Sequence, residues 1–172
     1  MSLPVLVLSA LLAPALAVTL LNLVAAPRLH RVRPARSATG DTGPDPASIL
    51  VPARDEAANL RRLLPALVAT GPEALEILVL DDGSTDETAA VVRHFAARDP
   101  RIRLVAGSEP PDGWTGKNWA CHQLALQARG DVVIFCDADV RPSPRAVSRT
   151  VRAMAESRAD ALTAIPRHEP GG

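Results

Sequence analysis

Short apolar runs with no polar alternation constrain this chain more than any other feature. Ser48 to Ala53 (SILVPA), Glu76 to Leu80 (EILVL) and Val132 to Cys136 (VVIFC) each read as a strand, and Ile102 to Val105 as a shorter one. Between them the apolar period changes. Glu56 to Thr70 carries Leu60, Leu63, Leu64, Leu67 and Val68 at helical spacing, and Gly71-Pro72 is expected to stop that helix. Thr85 to Arg98 reads as a second helix, with Val91, Val92 and Phe95 on one side, and Lys117 to Arg129 as a third, closed by Gly130. Pro144 to Glu156 reads as a fourth, and Ala161 to Ile165 as a fifth strand. Strands that are apolar on both faces must be covered on both. In alternation with helices, they predict an α/β fold with a mainly parallel sheet. Ligands of such sheets bind outside the carboxyl ends of the strands, so the residues that follow each strand carry the functional reading.

Aromatic residues are scarce: Phe95, Phe135, Trp114 and Trp119 are the full set, so the core must be built from Leu, Val, Ile and Ala. The formal net charge is zero, which gives no electrostatic case for a nucleic-acid partner. Nearly all basic residues are Arg, and Lys117 is the single lysine. Cys121 and Cys136 have neither CxxC spacing nor a ligand set beside them, and read as free thiols.

Leu3 to Ala26 contains no charged residue. Its 24 residues would make a helix of about 36 Å, against a hydrocarbon core of about 30 Å. A cleaved signal peptide fits less well, because no Lys or Arg precedes the run and Pro27 follows the small residues Ala25 and Ala26. The expectation is one transmembrane helix over 3–26. Arg28, Arg31, Arg33 and Arg36 follow it and place that flank in the cytoplasm, which makes a single-pass protein of the cell membrane with its soluble part cytoplasmic. Residues 27–47 then form a basic flank and a Gly-, Pro- and Asp-rich flexible linker, and 48–172 the folded domain.

Three of the strands run into acids: the first into Arg54-Asp55-Glu56, the second into Asp81-Asp82-Gly83-Ser84, the fourth into Asp137-Ala138-Asp139. A parallel sheet gathers these on one edge, where unpaired carboxylates repel one another and are costly to desolvate. A divalent cation carrying a diphosphate, with a ribose and a base beside it, answers that need, and carboxylate oxygens suit Mg²⁺ or Mn²⁺. Each cluster alone also has a structural reading. Ser84 with Glu87 matches a capping box, and Asp55 or Glu56 could answer a helix dipole.

Gly113-Trp114-Thr115-Gly116-Lys117-Asn118-Trp119-Ala120 ends a Pro-rich loop and opens a helix. A lysine beside helix N–H groups suits a phosphate. The segment is not a P-loop, because Pro111 and Asn118 stand where that motif needs Gly and Ser or Thr. Trp114 and Trp119 read as packing residues, with sugar stacking as the other use, and Cys121-His122 as structural.

On the words VPARDEAANL, VLDDGSTDET, GWTGKNWAC and FCDADV, in this order and spacing, Ser48 to Val140 resembles the family 2 glycosyltransferases. The GWTGKNWAC element resembles a subgroup associated with hopanoid and carotenoid glycosylation. The resemblance implies the Rossmann-like, nucleotide-sugar-binding half of a GT-A fold. It implies transfer of a sugar, with inversion, from a nucleoside-diphosphate sugar, usually a UDP-sugar, to a lipid or membrane-associated acceptor. It places Ala53 and Glu56 along the nucleotide pocket, Asp82 on the base, Lys117 near the base or diphosphate, and Asp137 near the ribose or sugar. Asp139 would hold the Mg²⁺ or Mn²⁺ that bridges the diphosphate.

The chain departs from the family pattern in one respect. No ED-type motif for the general base and no Q/RxxRW-type motif is present; Glu169 sits in RHEPGG and does not match. No catalytic residue is therefore identified, and the base is expected downstream, with the domain C-terminally incomplete. The alternative function is a nucleotide-sugar-binding module, or one subunit of a split enzyme whose second subunit supplies the acceptor half. A phosphotransferase with Asp137 as nucleophile fits less well, since Arg141 stands where such enzymes have Thr or Val.

Overall fold

The computed structural model describes residues 47–70 and 74–164. The expected anchor, residues 27–46 of the expected linker, Gly71-Pro72 and Ile165 lie outside the described residues, and Ala47, expected as the last linker residue, instead opens the first strand. Among those described, no helix is long and apolar enough to cross a membrane.

Eight elements alternate as the patterning predicts: β1 (Ala47–Ala53), α1 (Ala57–Val68), β2 (Ala74–Asp81), α2 (Thr88–Ala96), β3 (Ile102–Ala106), α3 (Gly116–Ala125), β4 (Val132–Phe135) and α4 (Ala146–Ser157). The four strands form one sheet in the order β3-β2-β1-β4, and every pairing is parallel. Residues 161–164 have no regular structure, so the fifth strand does not form there.

The lack of alternation in β1 and β2 has a direct cause. Ile49, Val51, Ile77 and Val79 pack into one apolar cluster with Leu60, Leu63, Leu64 and Leu67 of α1, Val91 and Val92 of α2, and Val147 and Val151 of α4. Leu50, Leu78 and Leu80 face the other way, into a second cluster with Val105 and with Ala120 and Leu124 of α3. Coverage is complete on both faces for the inner strands only. In β4, Val132 and Ile134 pack against the first cluster, while Val133 and Phe135 are 40% and 53% exposed. Phe135 is in register with Leu50, so it faces the α3 side, and among the described residues α3 is the only helix of the second cluster. The expectation that every apolar strand is covered on both sides fails at this edge.

The two helix ends that differ most from expectation, the end of α3 and the start of α2, are set by long-range hydrogen bonds. The α3 helix stops at Ala125 rather than Arg129: Gln127 N and Ala128 N tighten onto Leu124 O and Ala125 O, and the N–H groups of Arg129 and Gly130 are drawn to the opposite end of the sheet. Arg129 N donates to Glu76 Oε1 at 2.7 Å and Gly130 N to Ser48 Oγ at 2.8 Å, while Ser48 Oγ donates to Glu76 Oε1 at 2.8 Å. Arg103 Nη2 approaches Glu76 Oε2 at 3.6 Å, which gives this buried carboxylate a cation as well.

The α2 helix begins at Thr88 rather than Thr85, and the Ser84/Glu87 capping box does not form. Thr85 N and Asp86 N instead donate to Asp55 Oδ1 at 2.7 and 3.3 Å, and Ser84 Oγ accepts from Asp55 N at 2.9 Å. Asp86 supplies the N-terminal acceptor. Its Oδ1 takes Thr88 N at 2.9 Å, and its Oδ2 takes Ala57 N, the first residue of α1, at 3.1 Å. Thr88 Oγ1 closes the clasp by accepting from Glu56 N at 2.8 Å. Asp55 adopts φ 55° to reach this arrangement, a left-handed conformation that Asp tolerates better than most residues. Glu87 turns outward to Arg61.

Two predictions follow from these networks. Glu76→Ala removes the acceptor of one backbone and one side-chain donor in a buried setting, and should lower unfolding stability by about 2–3 kcal/mol in urea titrations. Hydrogen bonds hold the Asp55 carboxyl, chiefly from Thr85 N–H, and the Asp86 carboxyl, chiefly from Thr88, below the ordinary value of 3.8. Near that pH the native chain binds fewer protons than the unfolded one. The stabilisation is therefore present above the unfolded value and is lost as pH falls through the folded one. Urea midpoints followed from about pH 6 to about pH 3 should drop less steeply in Asp55→Asn than in the wild type; identical slopes would show that the clasp carries no proton linkage.

Candidate functional site

Strand order reverses at β1. The first two crossovers run from β1 through β2 to β3, and the third returns to β4 on the far side of β1. The crevice outside the carboxyl ends of β1 and β4 is the topological switch point, where open α/β sheets bind ligands. The helix that makes the return, α3, begins beside this crevice.

Lys117, in the first turn of α3, donates to Asp137, just beyond β4, at 2.9 Å between Nζ and Oδ1. The side chains are 65% and 54% exposed, so the pair is worth about 0–1 kcal/mol and is no structural necessity. The bond to Asp137 holds the Lys117 ammonium above its usual range, and the charge of Asp139 acts in the same sense. Ala138 between the two acids is buried, while Asp137 and Asp139 are exposed. The buried alanine pins the segment to the core and leaves both carboxylates at the surface of the crevice.

Asp82 follows β2. Its N–H donates to Ala53 O at 2.9 Å, which ties the ends of β1 and β2 together. A Cβ on Gly116 would meet Asp82 Oδ2 at 3.4 Å, an ordinary contact distance, so this carboxylate lies against the N-terminus of α3. Gly107 has a stricter role. A Cβ there would lie 2.9 Å from Asp81 O and from Leu80 Cδ2, so the loop after β3 can pass the end of β2 only without a side chain. Ala53 itself is 3% exposed, and its side chain belongs to the core. Glu56 accepts from Asn59 Nδ2 at 2.6 Å through Oε2.

The acids thus sort into two groups. Asp55 and Asp86 bond loop N–H groups, as does Asp81, whose Oδ1 accepts from Ser84 N at 3.0 Å. Asp82, Asp137 and Asp139 are left at the crevice. Among the described residues no group of three or more His, Cys, Asp and Glu could hold a metal ion. The expectation that all three clusters gather around one cation is corrected to that extent, because local N–H donors already compensate Asp55 and Asp81. With Asp137 paired to Lys117, the carboxylates at the crevice do not make a protein cage. They fit a cation that takes its other ligands from phosphate and water.

Both thiols are poor ligands. Burial pushes the Cys136 thiol up to about 11, with the charges of Asp137 and Asp139 adding to it. Burial raises Cys121 as well, against the opposing charge of Lys117. Both are free, as the sequence reading had them.

Trp114 and Trp119 pack, as their sequence reading has it, and the structure shows on what. Trp119 Nε1 donates to Ser108 O at 3.0 Å, and Gln123 Oε1 accepts from Ser108 N at 2.9 Å, which fastens the Pro-rich loop to α3. Trp114 lies edge-on to Trp119 at 5.3 Å, and His122 stacks on Trp119 at 5.3 Å. The loop that delivers Gly116 and Lys117 is therefore anchored by the motif's own tryptophans. The Asp55–Ser84–Asp86 clasp, which fixes the loop carrying Asp82, is not visible in sequence. Its partners lie about thirty residues apart and leave no local pattern.

Comparison with known proteins is consistent with this geometry. A 4,4'-diaponeurosporenoate glycosyltransferase of Staphylococcus haemolyticus is 36% identical over 93 residues, 54% of this chain and 24% of the relative. A mannosyltransferase of Pyrobaculum calidifontis, solved in complex with GDP-Man and Mn²⁺, superposes with a TM-score of 0.58 at 25% identity, covering 85% of this chain and 42% of that one. S. aureus TarS 1-349 in complex with UDP gives a TM-score of 0.52 at 25% identity, over 66% of this chain and 33% of that one. The matches span about a quarter of the length of the curated relatives. Residues 48–172 match the family described as "Glycosyl transferase family 2". The chain is a member of glycosyl transferase family 2, with the Rossmann-like α/β sheet of its solved relatives.

Proposed function

We propose that this chain supplies the donor site of an inverting glycosyltransferase that takes a UDP-sugar and serves a lipid or membrane-associated acceptor. The observation that carries the reading is the meeting of Lys117, Asp137 and Asp139 at the switch point, with Asp82 at the N-terminus of the same helix. A cation and a carboxylate pair placed where helix N–H groups also point are suited to a diphosphate. The likeness to a solved GDP-Man and Mn²⁺ complex and to a UDP complex supports that ligand class.

In this reading Asp82 accepts from the base, and Glu56 and the backbone of Ala53, whose side chain lies in the core, border the nucleotide. Asp137 faces the ribose or sugar, and Asp139 holds Mg²⁺ or Mn²⁺ against the diphosphate. The ion, when bound, neutralises charge that builds on the departing diphosphate. Lys117 leaves Asp137 for a phosphate oxygen at little cost, because the exposed pair is weak. It then offers a fixed positive charge where negative charge develops. The charge-free segment Leu3–Ala26 and the arginines after it would hold this site at the cytoplasmic face of the cell membrane, near a lipid acceptor. The carotenoid glycosyltransferase relative supports a lipid acceptor.

A second reading has one observation in its favour. Among the described carboxylates at the crevice, Asp82, Asp137 and Asp139 all have donor-side roles, and none is left to deprotonate an acceptor. A donor-binding module without turnover, or one subunit of a split enzyme, shares every contact above. Sugar transfer in membranes containing this chain alone separates the two.

Titration calorimetry on the full chain in detergent tests the site. UDP should bind more tightly with Mn²⁺ than without, and Asp139→Ala should weaken the Mn²⁺-supported affinity by about tenfold or more, at least about 1.4 kcal/mol. Asp131→Ala, just before β4 at the other end of the strand, should bind as the wild type does. Equal affinity in the wild type and Asp139→Ala would remove the metal role. Lys117→Gln should weaken UDP binding with and without the metal, and unchanged binding would remove its phosphate role.

A further inference from the structure

Every large hydrophobic side chain exposed among the described residues is associated with the α3 side of the sheet. Trp114 is 43% exposed before α3, Leu126 is 74% exposed at its end, and Val133 and Phe135 look out from β4 on the face that Leu50 shares. Trp119 and His122 of α3 and its C-cap residue Leu126, still in helical conformation, fall at positions i, i+3 and i+7, one stripe turned away from the buried Ala120 and Leu124. Trp114 caps that stripe edge-on, so the outward face of α3 is an aromatic ledge ending in a bare leucine.

Lone exposed apolar groups need no explanation, but contiguous ones do. Packing accounts for Trp119, whose indole N–H is bonded to Ser108. It does not account for Leu126 or for the exposed edge of Trp114. Indole and imidazole rings on one ledge are the amphipathic type that settles at the level of lipid headgroups. Glu109 and Asp112, exposed in the same loop, give the ledge no cationic character, so apolar insertion and not attraction to anionic lipid would hold it. The chain outside the described residues also limits the choice of occupant. Pro27 to Pro46 spans at most about 70 Å when fully extended, so a domain tethered to the Leu3–Ala26 segment cannot leave the vicinity of the bilayer.

We propose that the outward face of α3, formed by Trp114, Trp119, His122 and Leu126, lies in the headgroup region of the membrane and sets the orientation of the donor crevice relative to the bilayer. The proposal rests on the membrane-anchored reading given above. Lys117 opens the helix that carries the ledge, so seating that helix on the lipid surface would bring the site within reach of a membrane-embedded acceptor.

The test uses the two tryptophans of the chain, both in the ledge, as built-in probes. The full chain is reconstituted into phosphatidylcholine vesicles, and alkaline carbonate washing shows independently whether it is membrane-integrated. Tryptophan emission should shift to the blue on reconstitution. It should be quenched by lipid brominated in the upper acyl chain and little affected by aqueous iodide. Leu126→Glu, at a side chain buried against nothing, should reduce the bromolipid quenching while the carbonate-resistant fraction stays unchanged. Three results would overturn the proposal in an integrated chain: quenching by iodide with none by bromolipid, which puts the ledge in water; protection from both, which points to a protein partner such as a second copy; and quenching that Leu126→Glu leaves untouched. Release by carbonate would overturn the anchor itself, and the docking that rests on it falls with it.

Discussion

The arrangement depends on β1 being enclosed on four sides. It pairs with β2 along one edge and β4 along the other, and its side chains are buried in the clusters of both faces. A strand so placed cannot slip by one residue without moving its whole apolar set to the wrong face, and here both faces are committed. Its carboxyl end is therefore a fixed point. Asp82 is held to it through Ala53 O, and Asp137 and Asp139 lie just past the strand on its other side. The crevice inherits its geometry from the most constrained strand, although its chemical groups sit on loops.

Carboxylates of the same type acquire opposite uses by position. Asp55 and Asp86 occupy loops whose N–H groups have no helical partner, and they accept those N–H groups across the gap between two βα units. Such bonding favours the ionised form and answers the charge locally, so these acids brace the loops. Asp137 and Asp139 lie on a segment whose buried alanine turns both outward, and the cation bonded to Asp137, Lys117, is an exposed side chain. Acids bonded to backbone N–H groups hold the frame, whereas the Asp137 pair, made by an exposed lysine, can exchange for a ligand.

Much of this was legible in the sequence, and what was not has a common cause. The apolar runs and leucine stripes located all eight described elements, because burial on a sheet face or a helix stripe leaves a local period. The parallel sheet and the edge that gathers Asp82, Asp137 and Asp139 followed from the same pattern. The ends of α2 and α3 did not, because their N–H groups are captured by Asp55, Ser48 and Glu76, residues far away in the chain. DDGSTDE satisfies the local rule for a capping box, yet a partner from another loop outcompetes it. The open face of β4 was hidden for a related reason. Its sequence is as apolar as that of the inner strands, and an edge position is a property of the sheet and not of the strand.

The lone lysine shows how these levels join. An exposed ion pair of this kind adds little to stability, so nothing in the fold requires Lys117. Yet it is placed with care. Trp119 and Gln123 fasten the loop before it to the helix after it, Asp82 packs against the helix start at Gly116, and Gly107 lets the preceding loop pass the end of β2. Several side chains and a glycine thus fix the position of a charge whose own bond is weak. A structure that constrains the backbone of a residue while leaving its side chain free to change partners is built for exchange. At the N-terminus of a helix, beside two carboxylates, the partner we propose for such an exchange is a phosphate oxygen.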